Sequence, residues 1–443
     1  METTKQKGRG IAIIMMIFLF AMISMVTNLA APIGVIWKNQ PALAGSNTLG
    51  MLGNMMNFLA YLFMGIPSGK LLTRIGYKKS ALTAIAIGLG GVFVQFLSGI
   101  VLTDCSIFGL PGNFYVYLLG AFIAGISVCL LNTVVNPMLN LLGGGGNRGN
   151  QLILIGGSAN SLTGTLTPML VGALIGTVTK NTAITDVNLV LFIAMGIFAL
   201  TFVVLSLIPI ADPEHGGNAS HEQHAKHSPW MFRHFVLGTI AIFLYVGVEV
   251  GIPGTLNFFI SDTTAAGAGL NPATAASIGG FIAGTYWFLM LVGRFSAGFI
   301  ADKVSSRAMM IATNGLGMLL IVLAILLPTS IKTTMPIFTG SSFEMTRVPL
   351  CALLLVLCGL CTSVMWSSIF NLATEGLGKY TAAASGIFMM MVVGGGVMPV
   401  IQNLIADKIG YLISYIIPLL SMGFMLFYAV AGSKNVNKDI PVD

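Results

Sequence analysis

Apolar stretches of about twenty residues or more recur from one end of this chain to the other, and they leave few folds open. A helix needs about 20 apolar residues to cross the hydrocarbon core of a bilayer. About twelve such spans can be drawn, the first six near 11–37, 48–71, 80–102, 115–142, 151–177 and 188–211. The second six fall near 235–261, 274–301, 308–328, 348–375, 381–407 and 411–432. Charge is correspondingly scarce, at 8% of residues against about 25% in a soluble domain. The pattern predicts an all-α polytopic membrane protein with twelve transmembrane helices. The first span follows a short basic lead with no small-residue cleavage site, so it reads as a retained helix rather than a removed signal peptide.

One long polar break interrupts the series, from Ala211 to His234. It holds all five histidines, His215, His221, His224, His227 and His234, together with Pro213 and Pro229. The expected organisation is a six-helix half over 1–211, a cytoplasmic linker over 212–234 and a second six-helix half over 235–443. Histidine spacing in the break is irregular, with acids and bases mixed in, which favours a solvated linker over a metal site. The net charge is +7, but it segregates. With the N-terminus inside, Lys38, Lys180, Lys332, Arg347 and Lys408 fall outside and the other sixteen of the 21 Lys and Arg fall inside. That bias places both termini in the cytoplasm and makes nucleic acid a poor explanation of the charge. Of the five cysteines, Cys358 and Cys361 form a lone C-x-x-C in an apolar span. A zinc site needs a second pair, so no metal, disulfide framework or cofactor is expected.

Matching places in the two halves carry the same element. Gly65 to Lys79 (GIPSGKLLTRIGYKK) follows the second span, and Gly293 to Arg307 (GRFSAGFIADKVSSR) follows the eighth. Each combines small residues at a helix end with a short basic loop. Gly69 and Gly298 are suited to close helix approach, and the bases to capping helix C-termini. These loops resemble the signature loop of the major facilitator superfamily. The second copy keeps Asp302, where the first has Thr73. Further stretches resemble the fucose and glucose/galactose permeases of that superfamily: Asn132 to Pro137 (NTVVNP), Ala159 to Leu162 (ANSL) and Ala241 to Val250 (AIFLYVGVEV). Ile369 to Ala373 (IFNLA), Gly376 to Thr381 (GLGKYT), Val393 to Gln402 (VGGGVMPVIQ) and Ala406 to Gly410 (ADKIG) continue the likeness along the chain. The resemblance implies two pseudo-symmetric six-helix bundles in a bacterial cytoplasmic membrane, a central site, and alternating access. Gly69, Arg74, Arg294, Asp302 and Arg307 are the expected gating-loop residues.

Nearly all of the 14 Asp and Glu sit in loops or at span ends. Glu249 is the exception, in the middle of the seventh span. An intramembrane acid is costly and a functional candidate by default. Small residues and Pro253 around it weaken the helix, as in the discontinuous helices that line midplane sites. The plain alternative is a hydrogen-bonded Glu tying two helices together. In the resembling permeases an acid recurs here near the sugar pathway. Carboxamides come next: Asn28, Asn132, Asn136, Asn160, Asn257, Asn371, Gln402 and Asn403 all fall within spans. Amides both donate and accept, which suits a neutral polyol. The alternative is interhelical glue at about 0.6 kcal/mol a contact. Asn132 and Asn136, four apart, share a helix face. Trp287 and Trp366 are the best candidates for stacking on a sugar's apolar face, while Trp37 and Trp230 read as interface anchors.

The expected substrate-binding set is therefore Asn28, Asn132, Asn136, Asn160, Glu249, Trp287, Trp366, Asn371 and Gln402. The fucose permease type carries carboxylates for proton coupling in helices 1 and 4, and the matching positions here are Asn28 and Asn132. An amide cannot relay protons in the useful range, so the coupling role, with proton or sodium, passes to Glu249. Uncoupled diffusion and transport of a non-sugar solute are the rival outcomes. The four glycines Gly143 to Gly146 lack the Lys-Ser/Thr of a phosphate loop. Without a nucleophile–base pair in the spans, an enzyme is not expected. The reading is a monomeric carrier of a small neutral sugar.

Overall fold

The structure, a computed structural model, describes residues 2–443 apart from 44, 144–145, 176–177, 179–180, 209–227, 301–303, 339–341, 378–379, 438–439 and 441–443. Four of the linker histidines, His215, His221, His224 and His227, and Asp302 of the second gating loop lie outside the described residues.

The first half of the chain contains α1 (Glu2–Asn39), a one-turn α2 (Asn47–Gly50), α3 (Leu52–Leu97), α4 (Gly112–Gly143), α5 (Gly146–Ile175) and α6 (Asn188–Leu207). The second contains α7 (Arg233–Ser261), α8 (Ala275–Ile300), α9 (Ser306–Leu326), α10 (Leu350–Thr362) and α11 (Met365–Thr374). It continues through α12 (Thr381–Met390), α13 (Gly394–Lys408), α14 (Tyr411–Ser414) and α15 (Ile416–Phe427). Among the described residues, ten helical segments are long and apolar enough to cross a membrane. The other two expected spans, residues 52–75 of α3 and α5, are also helical but are not among those ten.

The second and third spans are joined more tightly than the sequence suggests. The 46 residues of α3, if straight, would measure about 69 Å at 1.5 Å each, more than twice a hydrocarbon core of about 30 Å. The chain turns at Gly76, where φ is 81°, a left-handed conformation open to glycine without strain. The basic loop expected there is thus mostly helix. The tenth span is likewise divided, between α10 and α11, and the eleventh by a 3-10 turn at Met391–Val393.

Two hairpins modify the all-α expectation. β1 (Ser106–Ile107) pairs with β2 (Leu110–Pro111), and β3 (Lys332–Phe338) pairs antiparallel with β4 (Phe343–Pro349). The second hairpin lies between the ninth and tenth spans, where the span pattern alone predicts a loop. Its alternation is that of a half-buried strand pair, with Met335, Ile337 and Val348 turned inward.

Side-chain bonds define the two faces of the helix bundle. Arg9 Nε donates to the Leu142 carbonyl at 2.8 Å, joining the start of α1 to the end of α4. His234 Nε2 lies 2.9 Å from the Glu375 carbonyl, joining the start of α7 to the end of α11. His234 thus belongs to α7, and the polar break ends two residues earlier than its composition suggests. On this N-terminal face Lys78 Nζ caps α6 through the carbonyls of Ser206 and Ile208, at 3.0 and 2.7 Å. Arg307 Nη2 donates to Ser433 Oγ at 3.2 Å, just beyond α15. At both signature loops a base meets the end of the last helix of its half, where unpaired carbonyls collect negative charge.

Among the described residues the halves of the chain touch mainly along two seams. α5 lies along α8, and α3 lies along α12 and α13. A Cβ on Gly280 of α8 would overlap the Pro168 carbonyl oxygen of α5, so only glycine permits that approach. Gly69 behaves otherwise than expected: space is open around it. The close contact is at Gly65, against Met390. Trp37 also departs from its reading as an interface anchor, being buried against Phe114 and Tyr117 of α4 with ring centroids 4.9 and 5.4 Å away.

Candidate functional site

A narrow cavity lies between α1, α3, α5, α7 and α8. Three amides line it, Asn28 of α1, Asn54 of α3 and Asn257 of α7, and Trp287 of α8 supplies an aromatic wall. Pro32, Pro168 and Pro253 face it from three helices. A proline inside a helix leaves the carbonyl four residues earlier without its donor, so the carbonyls of Asn28, Gly164 and Glu249 are released beside the cavity. The same rule holds across the second seam. Pro399 releases the Gly395 carbonyl, which accepts Asn54 Nδ2 at 2.8 Å.

Donors and acceptors are both on offer. Asn28 Nδ2 is engaged within its own helix, 3.0 Å from the Ser24 carbonyl and 3.1 Å from Ser24 Oγ, so Asn28 has an acceptor left to give. Asn257 Oδ1 accepts from Ser261 Oγ at 3.2 Å, while its Nδ2 has no partner among the described residues. A buried amide left in this state costs free energy unless a ligand or water meets it. Gly164 lets these groups share a wall: a Cβ there would lie 2.9 Å from Ser24 Oγ and 3.2 Å from Trp287 Cδ2.

Glu249 sits one residue from the cavity wall at Val250 and is buried. It accepts from Tyr245 Oη at 2.8 Å and from Arg294 Nη2 at 3.1 Å. Arg294 is thus a helix-borne partner of Glu249 rather than a loop residue. It lies six residues before the end of α8, and its Nη1 donates to Ser161 Oγ of α5 at 2.8 Å. The sequence showed no partner for Glu249 because α7 and α8 are brought together only by the fold. Trp366 packs on Tyr245, centroids 6.2 Å apart, and on Phe388 at 5.8 Å.

The remaining amides divide. Asn132 and Asn136 share the expected face of α4 and are half-buried. Asn132 Nδ2 donates to Tyr61 Oη at 2.6 Å, and Asn136 Nδ2 to the Asn132 carbonyl at 3.0 Å. Asn160 Nδ2 donates to the Phe20 carbonyl at 3.0 Å, tying α5 to α1. Gln402 is buried against Gly251 with its Nε2 unpartnered among the described residues. Asn371 is exposed on α11, and Arg74 is exposed on α3. None of these residues lines the cavity.

Comparison with known proteins fits this arrangement. The sequence profile of the Major Facilitator Superfamily matches residues 13–399. A glucose/galactose transporter of Brucella abortus is 30% identical over 98% of this chain and 97% of its own. This chain belongs to the major facilitator superfamily. Within it, the match places the chain with the fucose and glucose/galactose permeases, a family of transporters rather than enzymes. The L-fucose-proton symporter of Escherichia coli is 22% identical over 84% of this chain and 82% of its own. A crystal structure of the E. coli fucose:proton symporter superposes with a TM-score of 0.64 at 17% identity, covering 95% of this chain and 98% of that one. The major facilitator fold of this multi-pass membrane protein is therefore established.

In that fold the face opposite the N-terminus is tied across the two halves of the chain by residues that belong to no local motif. Asp407 of α13 accepts from Ser46 Oγ, the Asn47 amide, the Thr48 amide and Thr48 Oγ1, at 2.9, 2.7, 2.8 and 2.6 Å. A carboxylate thus caps the N-terminus of α2 from the other half of the chain. Beneath it Lys38 is 3% exposed. Its Nζ donates to Asn47 Oδ1 and Tyr411 Oη, each at 2.9 Å, and lies 4.9 Å from the centre of the Phe258 ring. Tyr411 Oη in turn donates to Asp262 Oδ2 at 3.1 Å. In the sequence Lys38 served only the count of charges by side, and nothing local links it to Asp407 or Asp262.

Proposed function

We propose that this protein is a secondary transporter of a small neutral sugar, a hexose or deoxyhexose, working by alternating access. The observation that carries this is the cavity itself, with Asn28, Asn54 and Asn257 set around Trp287. Amides that donate and accept, beside a flat apolar ring, offer partners for the hydroxyls and C–H faces of a pyranose; the cavity, too narrow here to hold one, would widen as the two halves rock. Among the described residues no charged side chain lines it, which suits a neutral solute. Twelve helices in two six-helix halves, 1–211 and 235–443 joined by the linker 212–234, supply the rocking bodies. Lys and Arg bias places both termini in the cytoplasm, with the protein a monomer in a bacterial cytoplasmic membrane.

Coupling to a cation, by this reading, runs through Glu249, with the proton favoured over sodium. Asn28 and Asn132 stand where the fucose permease type keeps acids, and Glu249 is a carboxylate beside the cavity. Gln402, Asn132, Asn136, Asn160, Trp366 and Asn371, which lie outside the cavity lining seen here, are kept in the proposed substrate-binding set. The test is uptake of labelled hexoses and fucose into proteoliposomes under imposed proton or sodium gradients. Gradient-driven accumulation of one monosaccharide in the wild type, lost in Glu249→Gln, is the expected result. No uptake of any monosaccharide overturns the sugar assignment; accumulation unchanged in Glu249→Gln overturns the coupling assignment alone.

A further inference from the structure

Arg294 has two ends in use. Nη2 meets Glu249 of α7 at 3.1 Å, and Nη1 meets Ser161 Oγ of α5 at 2.8 Å and the Gly157 carbonyl at 3.4 Å. It therefore joins a carboxylate in the second half of the chain to a helix in the first. Its place along the α5–α8 seam is distinctive. Toward the distal face the seam is held by small residues and neutral bonds: Ser277 Oγ donates to the Gly172 carbonyl at 2.9 Å, and Gly280 lies on Pro168. Toward the N-terminal face, Arg294 links the two helices through a charged group.

We propose that Arg294 converts the charge state of Glu249 into the packing of α5 against α8, so that proton binding at Glu249 lets the N-terminal-face ends of these helices part. The inference rests on Glu249 being the coupling carboxylate. The step is a proton transfer from hydronium to a Glu249 carboxylate oxygen: one O–H bond forms on Glu249, one O–H bond of hydronium breaks, and a water molecule is left. The Glu249 and Arg294 side chains keep 11% and 18% of their surface uncovered, and the proposed route of the proton is through that opening. The titratable groups facing Glu249 are Tyr245 of its own helix and Arg294 and Tyr286 of α8; α13 offers only the neutral Gln402 nearby. Tyr286 Oη is engaged with Thr362 Oγ1 at 2.8 Å. Arg294 is thus the cation that compensates Glu249. Once the carboxylate is neutral, a guanidinium in this sheltered place has lost its counter-charge, and an unpaired buried charge is strongly unfavourable. Arg294 is drawn toward water at the N-terminal face and releases Ser161 and Gly157. Arg294 and Ser161 are positioning residues here; neither needs to touch the sugar.

Hydrogen exchange read by mass spectrometry on the full chain in proteoliposomes, without sugar, tests the link. Peptides over 152–165 and 286–297 report the seam, and peptides over α9 report the intact fold. After correction for intrinsic exchange, acidification should speed wild-type exchange in the seam peptides about fivefold or more, as local opening does. Glu249→Gln should show the fast seam at every pH. Arg294→Gln should abolish the pH response. Ser161→Ala, which removes one hydroxyl and no charge, should weaken protection of 152–165 and decides the matter if a charged-site variant loses its α9 protection. Wild-type protection in Glu249→Gln, or a full pH response surviving in Ser161→Ala, overturns the proposal. Sugar uptake by the same vesicles separates the two levels. A pH-linked seam without transport of any monosaccharide overturns the sugar assignment and leaves the link. Proton-driven uptake with a pH-independent seam overturns the link and leaves the sugar assignment.

Discussion

Asp407→Asn tests whether the distal face is held shut by one carboxylate. Asp407 accepts four hydrogen bonds from Ser46, Asn47 and Thr48. An asparagine keeps the size but turns one oxygen into a donor, which then faces N–H and O–H groups that also donate. Sheltered hydrogen bonds to a charged group contribute about 1.5–3 kcal/mol each. Asp407 is exposed, however, and solvent screening reduces exposed charge interactions to about 1 kcal/mol or less. Adding the lost charge at a helix N-terminus, about 0.3–1 kcal/mol, and the mismatched donor, the expected loss is about 2 kcal/mol in the closed state only. That is roughly a 30-fold fall in the ratio of closed to open distal face. Spin labels at Ala42 and Lys408, both exposed, with Cys105 replaced by serine, read that ratio by electron–electron distance measurement. A longer-distance population should grow in Asp407→Asn and grow less in high salt, where the wild-type interaction is already screened. A distance distribution identical to wild type at low salt would refute the reasoning, because a latch that carries no free energy is not a latch.

Four further outcomes follow from the same geometry. Lys38→Met should open the distal face as well, and its effect combined with Asp407→Asn should miss additivity by about 0.5–3 kcal/mol in a double-mutant cycle, since both touch Asn47. Gly280→Val should lower the melting temperature through overlap with the Pro168 carbonyl, an overpacking cost of about 1–3 kcal/mol measured by thermal unfolding in detergent. Trp287→Ala should weaken sugar binding by about 0.5–1.5 kcal/mol through loss of its ring, seen in equilibrium binding. Asn257→Leu should weaken it by about 1 kcal/mol, a roughly fivefold rise in the dissociation constant, by removing the unpartnered donor.

What the sequence made legible was whatever a single helix encodes. Span length and composition identified ten segments that the structure also presents as apolar helices. The i,i+4 pair Asn132 and Asn136 shares a face because helical geometry alone requires it. The candidate site was legible only in part, since its residues meet across helices. Asn28 and Trp287, both candidates from the sequence, line the cavity together with Asn54, which stands just inside the distal end of α3, where an amide draws no notice. Glu249 was found by its cost, and Arg294 was assigned to a loop, because a base near a span end looks like a topogenic charge until α7 and α8 are set side by side. Asn371 shows the opposite case: a polar residue inside an apolar span that the structure places exposed on α11, outside the cavity lining.

Prolines mark where the boundary between the two kinds of knowledge falls. Pro32, Pro168, Pro253 and Pro399 each stand inside a helix, and each releases the carbonyl four residues before it. The released positions, Asn28, Gly164, Glu249 and Gly395, follow from counting along the sequence. Three of those prolines border the cavity, so the count already points to the region where backbone acceptors collect. The fourth shows what counting omits. The Gly395 carbonyl is taken by Asn54 at 2.8 Å, a choice fixed by how closely α3 approaches α13. That approach depends on Gly395 and Gly396 lying against Phe58 and Met55, a fit between two surfaces about 340 residues apart in the chain that no local pattern encodes. A free acceptor can be read from one helix; the donor that answers it belongs to the packing of two.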